Sequence, residues 1–129
     1  MSYLPLAVQK AVLEALGIAL AGDVPVYDHV PDDALFPFVE LSSQQVLDND
    51  ADGMPGFEHN FFLTVWSEYR GQKEIWEILG RIHTGLHDRK LILESGTQVN
   101  CRVTGQRTEL DQDGLTYQGA VTLRIVTNR

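Results

Sequence analysis

The first twenty residues are apolar on two sides of a predicted helix. Hydrophobic positions repeat with a helical period over residues 3 to about 21, and Gly22 supplies the expected end. One side consists of Leu4, Val8, Ala11, Val12, Ala15, Ile18 and Ala19. The other consists of Leu6, Leu13, Leu16 and Leu20. Because the polar strip between them is narrow, either the helix is deeply buried or its second side packs against another subunit. We take the second side as a candidate subunit interface.

Alternating apolar and polar residues predict three strands in the first half of the chain. A short run at residues 24–27 contains Pro25, which favours an edge position. A second strand opens after Pro37 and ends near Leu47. The third strand is long, at residues 57–69, and its core face consists of Phe57, Phe61, Leu63, Val65 and Tyr69.

Two large aromatic residues, Phe62 and Trp66, stand on the opposite face of the third strand. Their neighbours on that face are polar, so the aromatic side chains lack an obvious apolar environment. We therefore expect either a covering loop or a partner surface at this position. Phe62 and Trp66 join the candidate subunit interface for that reason.

An amphipathic helix and two C-terminal strands complete the pattern. The helix covers residues 72–87, with one apolar stripe made of Ile75, Ile78, Leu79, Ile82 and Leu86. Inward-facing positions of the two strands are Val99, Cys101 and Val103, then Leu115, Tyr117, Val121, Leu123 and Ile125. The dipeptide Asp113-Gly114 predicts a hairpin between them. The order predicts a single α+β domain over residues 1–129, a mainly antiparallel sheet with two helices packed on one face.

The acidic segment at residues 48–56 is similar to the opening of an EF-hand calcium loop. Carboxylates at alternate positions followed by Gly53 are typical of a loop that converges on one cation. The twelfth position of such a loop should be a glutamate and is His59 here, and the predicted flanks are strands. The segment is interpreted as a solvated hairpin tip, with weak cation binding as the alternative.

Searches for catalytic chemistry give no site. His83 and His87 are one helical turn apart, but Thr84 stands where a zincin would have a glutamate, and no third ligand is identifiable except Asp88. The sequence has no glycine-rich phosphate loop and no Gly-x-Ser-x-Gly elbow. We expect no enzyme activity, no metal site and no cofactor.

The charge disfavours a tight contact with nucleic acid. Ten Lys and Arg oppose eighteen Asp and Glu, which gives a net charge of −8, whereas a nucleic-acid binder needs a basic patch. The single Cys101 excludes an internal disulfide and predicts a buried, unreactive thiol. No apolar run is long enough to span a bilayer and no signal peptide is evident, so we expect no membrane contact and a cytoplasmic location.

Three parts of the chain together resemble a known family. They are residues 26–39 (VYDHVPDDALFPFV) after the apolar helix, residues 61–67 (FFLTVWS) before a glycine-opened helix, and the Asp113-Gly114 hairpin with its paired strands. The arrangement is similar to the tail completion, tail terminator or head–tail joining proteins of long-tailed phages and gene transfer agents. The resemblance covers nearly the whole chain.

The resemblance implies a structural role in virion assembly. Family members are expected to form a hexameric ring that caps the tail tube, ends tube polymerisation and presents a surface to the head-completion or connector protein. DNA would pass through the ring and be repelled by an acidic lumen. The protein would act in the bacterial host cytoplasm and then in the particle tail. We expect the 48–56 loop to project toward neighbouring ring or tube subunits, with candidate contacts at Asp48, Asp50, Asp52 and Met54.

Three alternatives stay open at this point. The chain could be another ring protein of the same machine, such as a head–tail connector or a tail-tube subunit. It could be a small metal-binding protein or metal-dependent enzyme that uses the acidic loop or the histidine pair. It could also be a general adaptor domain. Self-polymerisation would distinguish a tube subunit from a terminator, and metal analysis would identify the second class.

Overall fold

Two helices and six strands make up the fold. The computed structural model describes residues 3–50 and 53–128. Their order is α1 (Leu4–Ala19), β1 (Val26–Tyr27), β2 (Phe38–Asp48), β3 (Gly56–Ser67), α2 (Lys73–Leu86), β4 (Arg89–Ile92), β5 (Gln98–Leu110) and β6 (Tyr117–Asn128). No helix among the described residues is long and apolar enough to cross a bilayer.

The strands form one sheet in the order β1-β2-β3-β6-β5-β4. β1 pairs parallel with β2, and the other four pairings are antiparallel. β2 and β5 each contain a register shift, the first between Leu41 and Ser43 and the second between Val103 and Gly105. The predicted edge position of the residues around Pro25 is confirmed, because β1 is the outermost strand on its side.

Both helices pack on the same face of this sheet, so the predicted α+β class is confirmed. Side chains from the inner face meet the two helices in a single core. Its largest fully buried members are Leu16, Leu20, Phe61, Leu63, Ile75, Leu79, Ile82, Leu86, Leu123 and Ile125. All five stripe residues of α2 are buried, as the sequence pattern predicts.

Two glycines allow the second helix to lie close to its neighbours. A Cβ on Gly119 of β6 would lie 2.5 Å from Ile75 Cγ2, and a Cβ on Gly85 would lie 2.6 Å from the Ala19 Cβ. Both distances are shorter than real carbon contacts, so a side chain at either position would separate the packed surfaces. Gly119 therefore sets the distance between α2 and the sheet, and Gly85 the distance between the helices.

The predicted end of α1 is close to the observed one: the helix ends at Ala19, and Gly22 adopts the expected positive φ of 78°, as does Ala21 at 51°. Two predicted positions at the ends of strands are wrong. Tyr69 lies beyond the end of β3 and is exposed. Leu115 lies in the β5–β6 turn and is 78% exposed. There Asp113 accepts the backbone N–H groups of Leu115 and Thr116 at 2.8 Å each, so the turn is longer than the Asp-Gly pair alone predicts.

Candidate assembly surfaces

Metal-type ligands do not converge in residues 3–50 or 53–128, where no group of three or more His, Cys, Asp or Glu could hold an ion. The rings of His83 and His87 stack with centroids 4.5 Å apart. His87 Nδ1 accepts the backbone N–H of Val103 at 3.0 Å, and its Nε2 lies 3.5 Å from Asp88 Oδ2. Since the Nδ1 lone pair is occupied, His87 connects the end of α2 to β5.

Cys101 is buried in the sheet and fully inaccessible to solvent. Burial raises the pKa of its thiol to about 12, because the thiolate would lose its hydration. A thiol with that pKa is almost wholly protonated at neutral pH and is a poor nucleophile. Cys101 therefore has a packing role.

His59 is a buried polar residue that the sequence pattern did not single out as part of the core. Its side chain is inaccessible, and Nε2 lies 2.9 Å from Thr127 Oγ1 on β6. Within the described part of the chain, Nδ1 has no hydrogen-bond partner. Burial lowers the pKa of this imidazole below its usual value, because the charged form would be desolvated.

The lowered pKa of His59 predicts a loss of stability in mild acid. Above about pH 6.5 the imidazole is neutral in both the folded and unfolded chain. Below it the unfolded chain takes up a proton that the folded chain resists, so the free energy of unfolding falls as pH decreases. A single group contributes at most about 1.4 kcal/mol per pH unit.

Urea unfolding of the parent and of His59→Gln between pH 5 and 7 measures this contribution. We expect the free energy of unfolding to fall less steeply with decreasing pH in the variant than in the parent, because the contribution of His59 is absent. His29→Gln removes an exposed histidine as the matched control. Equal slopes in the parent and in His59→Gln would contradict the assignment.

The outer face of the sheet, away from the helices, carries partly exposed aromatic residues. Phe62 is 37% exposed, and its cross-strand neighbours on this face are Ser43 and Thr122. Neither neighbour is large enough to cover the ring. Trp66 is half-buried, and its Nε1 donates to Glu40 Oε1 at 3.1 Å. Phe62 is therefore the accessible apolar position of the pair.

Glu58 and Arg124 form an ion pair on the same outer face, at 3.0 Å. Asn60 Nδ2 also donates to Glu58 at 3.0 Å. These contacts, the Asn60 hydrogen bond first and Arg124 second, lower the pKa of the Glu58 carboxyl. Hydroxyl groups of Ser42 and Thr64 pair across the strands at 2.6 Å. The face is thus polar and internally paired around Phe62, and it carries two more exposed apolar residues, Leu47 and Val126, on either side of Glu58.

The second side of α1 differs from the sequence expectation. Leu16 and Leu20 are completely buried in the core, so the expectation that they face another subunit is wrong. The helix turns a wide arc toward the sheet and α2, and that arc includes both residues. Leu6 remains 59% exposed and Leu13 is half-buried. The exposed large apolar side chains of α1 are therefore Leu6 and Ile18, which is 81% exposed, and not the second side as a whole.

The β2–β3 hairpin tip lies at one end of the sheet. The Asn49 N–H donates to Gly56 O at 2.9 Å and closes the hairpin, while Gly56 N–H donates to Asp50 Oδ1 at 3.3 Å. Met54 is 62% exposed. Asp52, another predicted contact, lies outside the described residues.

The arginines of the outer face lie beside carboxylates. Arg124 pairs with Glu58, Arg102 lies 2.7 Å from Asp88, and the Arg107–Glu109 distance is 3.8 Å. They offer no uncompensated basic stripe for phosphates. Loops at the opposite end of the sheet from the 48–56 tip are acidic, with Asp28, Asp32, Asp33, Glu68, Asp111 and Asp113.

Comparison with known proteins gives a family and a fold. Residues 7–128 match the family described as Tail completion protein gp17. A chain in the virion of a native gene transfer agent particle is similar in structure, with a TM-score of 0.80 and 20% sequence identity. That similarity covers 99% of this chain and 100% of the other. No curated protein matches at a significant level.

Proposed function

The chain belongs to the Tail completion protein gp17 family of structural phage tail proteins, and we propose that it is a tail terminator. Six copies would close into a ring at the end of the tail tube. The ring would stop further addition of tube subunits and would present its free side to a head-completion or connector protein. The protein acts by contact between surfaces and carries out no catalytic step.

Incomplete coverage of the sheet is the observation that carries this proposal. Helices cover one face, whereas the other exposes Phe62 on a surface with no covering element among the described residues. Aromatic residues are enriched in protein contacts, and an uncovered ring on this face is suited to one. We assign Phe62, Trp66, Leu6 and Leu13 to contacts with neighbouring copies. The tip residues Asp48, Asp50, Asp52 and Met54 would meet a neighbouring ring or tube subunit.

DNA would pass through the ring without binding tightly. The chain carries a net charge of −8, and carboxylates dominate the loops at one end of the sheet. A negative wall repels phosphate and keeps the duplex mobile. A basic inner wall in the assembled ring would contradict this part of the proposal. During assembly the protein would lie in the bacterial host cytoplasm, and afterwards in the tail of the particle.

A tail-tube subunit or head–tail connector is the second candidate, because such proteins also assemble through exposed surfaces. The two differ in how assembly ends. A terminator stops at a closed ring, whereas a tube subunit continues to add rings and forms filaments.

Light scattering behind a sizing column, across a concentration series, distinguishes the two candidates. We expect a discrete species of six copies of the 14.4 kDa chain that appears as concentration rises, with no larger filaments. Open-ended growth into filaments would contradict termination and favour the tube subunit. The parent chain at low concentration, where mass action favours the monomer, is the reference for the folded single copy.

A further inference from the structure

Both sides of the sheet leave part of an inner strand without a neighbour. On one side, β1 pairs with β2 only at Val39 and Glu40. On the other side, β4 pairs with β5 only at residues 98–101. No described strand lies beside residues 42–47 of β2 or residues 105–110 of β5. Two open strand edges therefore face outward from opposite sides of the sheet.

The backbone groups of β2 that point outward follow from two hydrogen bonds. Val39 N–H donates outward to Pro25 O, and Asn49 N–H donates inward to Gly56 O. In a regular strand these two odd-numbered residues would point to the same side. The register shift after Leu41 inserts one extra residue and so reverses the direction beyond it. Alternation back from Asn49 then directs the N–H and C=O groups of Gln44 and Val46 toward the open side.

The outward backbone groups of β5 also follow from two hydrogen bonds. Val103 N–H points outward, because it donates to His87 Nδ1, and Asp111 N–H points inward to Thr116 O. The register shift between Val103 and Gly105 inserts one extra residue, so even-numbered residues instead of odd-numbered ones point outward beyond it. The backbone groups of Gln106, Thr108 and Leu110 therefore point to the open edge.

Beyond the bulge that follows Leu41, the open part of the β2 edge carries neither a charge nor a proline to block pairing. Residues 42–47 read Ser-Ser-Gln-Gln-Val-Leu, without a proline or a charge. Val46 and Leu47 are 36% and 45% exposed. Natural edge strands are usually blocked by lysine, proline or a covering element. An uncharged, partly apolar open edge is suited to receive another strand.

We propose that copies of this chain join by placing β2 of one copy beside β5 of the next. This inference rests on the proposed ring and specifies its subunit contact. β2 and β5 run in opposite directions within the sheet, since three antiparallel pairings separate them. Rotation about a ring axis preserves strand direction, so the new pairing is antiparallel. Val46 then lies opposite Thr108, and Gln44 lies opposite Leu110.

The short outer strands leave room for this register, since β1 pairs only at residues 39–40 and β4 only at residues 98–101. Val46 aligns through β3 with Ile125 of β6, whereas Thr108 aligns with Gly119. Pairing Val46 with Thr108 therefore displaces the next copy along the strand direction by six residues, about 20 Å. The four strands β2, β3, β6 and β5 that separate one junction from the next are about 19 Å wide. The strands therefore tilt by about 45° to the ring axis, which is close to the tilt of closed barrels. β1 and β4 occupy the remaining parts of the two edges.

Charge is complementary at the same junction. In this register the end of β2 carries the hairpin tip toward β4 of the next copy. The tip contributes Asp48 and Asp50, and β4 contributes Arg89 and Lys90, which form the sequence's basic dipeptide. Arg89 and Lys90 are exposed. Opposite charges at these positions favour a second copy of this chain as the partner.

Cysteine cross-linking tests the register. In the proposed pairing, Gln45 and Glu109 are direct neighbours without mutual backbone hydrogen bonds, and their Cα atoms should be about 4.5 Å apart, close enough for a disulfide. We expect Gln45→Cys/Glu109→Cys to give a disulfide ladder up to the ring under oxidation. The matched control Gln45→Cys/Thr104→Cys shifts one partner by five residues, beyond bridging distance. Cys101 is buried in both variants.

A proline substitution tests the hydrogen bonds themselves. Thr108→Pro removes an outward N–H, and Thr108→Val keeps it while losing the same hydroxyl contact to Gln72. We expect the proline variant to need at least a tenfold higher concentration than the parent to form the ring. The valine variant should form the ring at the parent's concentration, and the two variants should have equal melting temperatures. If the proline variant is unfolded, the cross-linking result alone decides.

The outcomes separate this inference from the proposed function. Failure of the Gln45–Glu109 pair to link at any concentration would overturn the strand pairing, because a disulfide accumulates even from transient contacts. Linking of the shifted control instead would also overturn it. If parent rings form and tails end normally in either case, the terminator function stands with a different contact.

Discussion

Phe62→Glu is expected to abolish ring formation while the single chain stays folded. The side chain is 37% exposed and has small neighbours on the outer face, so a glutamate can reach water in the monomer. Ser43 is the β2 residue beside Phe62, on the side where the neighbouring copy's β5 would lie. On assembly a charge there would lose part of its hydration and would approach Asp111 of the neighbouring copy, which lies opposite Ser43 in the proposed register.

The expected size of this effect follows from interface energetics. An aromatic residue in an interface contributes about 2 kcal/mol or more when truncated, which is about 30-fold in affinity for each contact. A ring contains several such contacts, so the concentration needed for closure should leave the measurable range. Solution mass and thermal unfolding would be measured together.

The control for Phe62→Glu is Tyr69→Glu. Tyr69 is 47% exposed just beyond the end of the inner strand β3, away from the β2 and β5 edges of the proposed contact. This variant adds the same charge in place of an exposed apolar residue. If Phe62→Glu forms the ring at the same concentration as the parent, the outer face is not part of the assembly contact and the prediction is wrong.

Shortening the β2–β3 hairpin tip should leave the fold intact and reduce tail assembly by at least tenfold. Replacing residues 50–55 by Asn-Gly keeps the closing hydrogen bond from Asn49 to Gly56 and supplies a favourable two-residue turn. Gly56 must be retained, because a Cβ there would lie 2.7 Å from Asn49 O and 2.8 Å from Thr127 O. The core lies elsewhere, so the melting temperature should change by only a few degrees.

Assembly is expected to suffer because the tip supplies exposed contacts. Met54 is 62% exposed, and the tip carries charges that would meet a neighbouring copy or the tube. Counting particles with complete tails by electron microscopy, in cells that supply the variant in place of the parent, measures the loss. Met54→Ser, with the loop at full length, separates the apolar contact from the charges. A variant that unfolds, or one that assembles normally, would contradict the assigned role.

The elements with regular periodicity could be predicted from the sequence. Helix α2 shows one apolar stripe, and all of its stripe residues are buried. Val121, Leu123 and Ile125 of β6 alternate and lie in the core as predicted. These elements have one apolar side and one polar side, so burial of the apolar side fixes their orientation.

Other features depend on the tertiary arrangement and could not be read from the sequence. Leu16 and Leu20 are buried because they pack into the core that α1 shares with α2 and the sheet, and the helical period alone does not show which of its two apolar sides does so. His59 was not predicted as a core residue, because a histidine in a polar segment gives no apolar signal. The open edges of β2 and β5 follow from strand order and register, which a single sequence does not specify.

Tail length tests the central claim most directly. Particles would be prepared from cells with and without the gene for this protein, and their tails measured by electron microscopy. A terminator predicts tails of uniform length joined to heads in its presence, and tails of irregular, extended length without heads in its absence. Tails of the same uniform length, joined to heads, in cells that lack the protein would contradict the account.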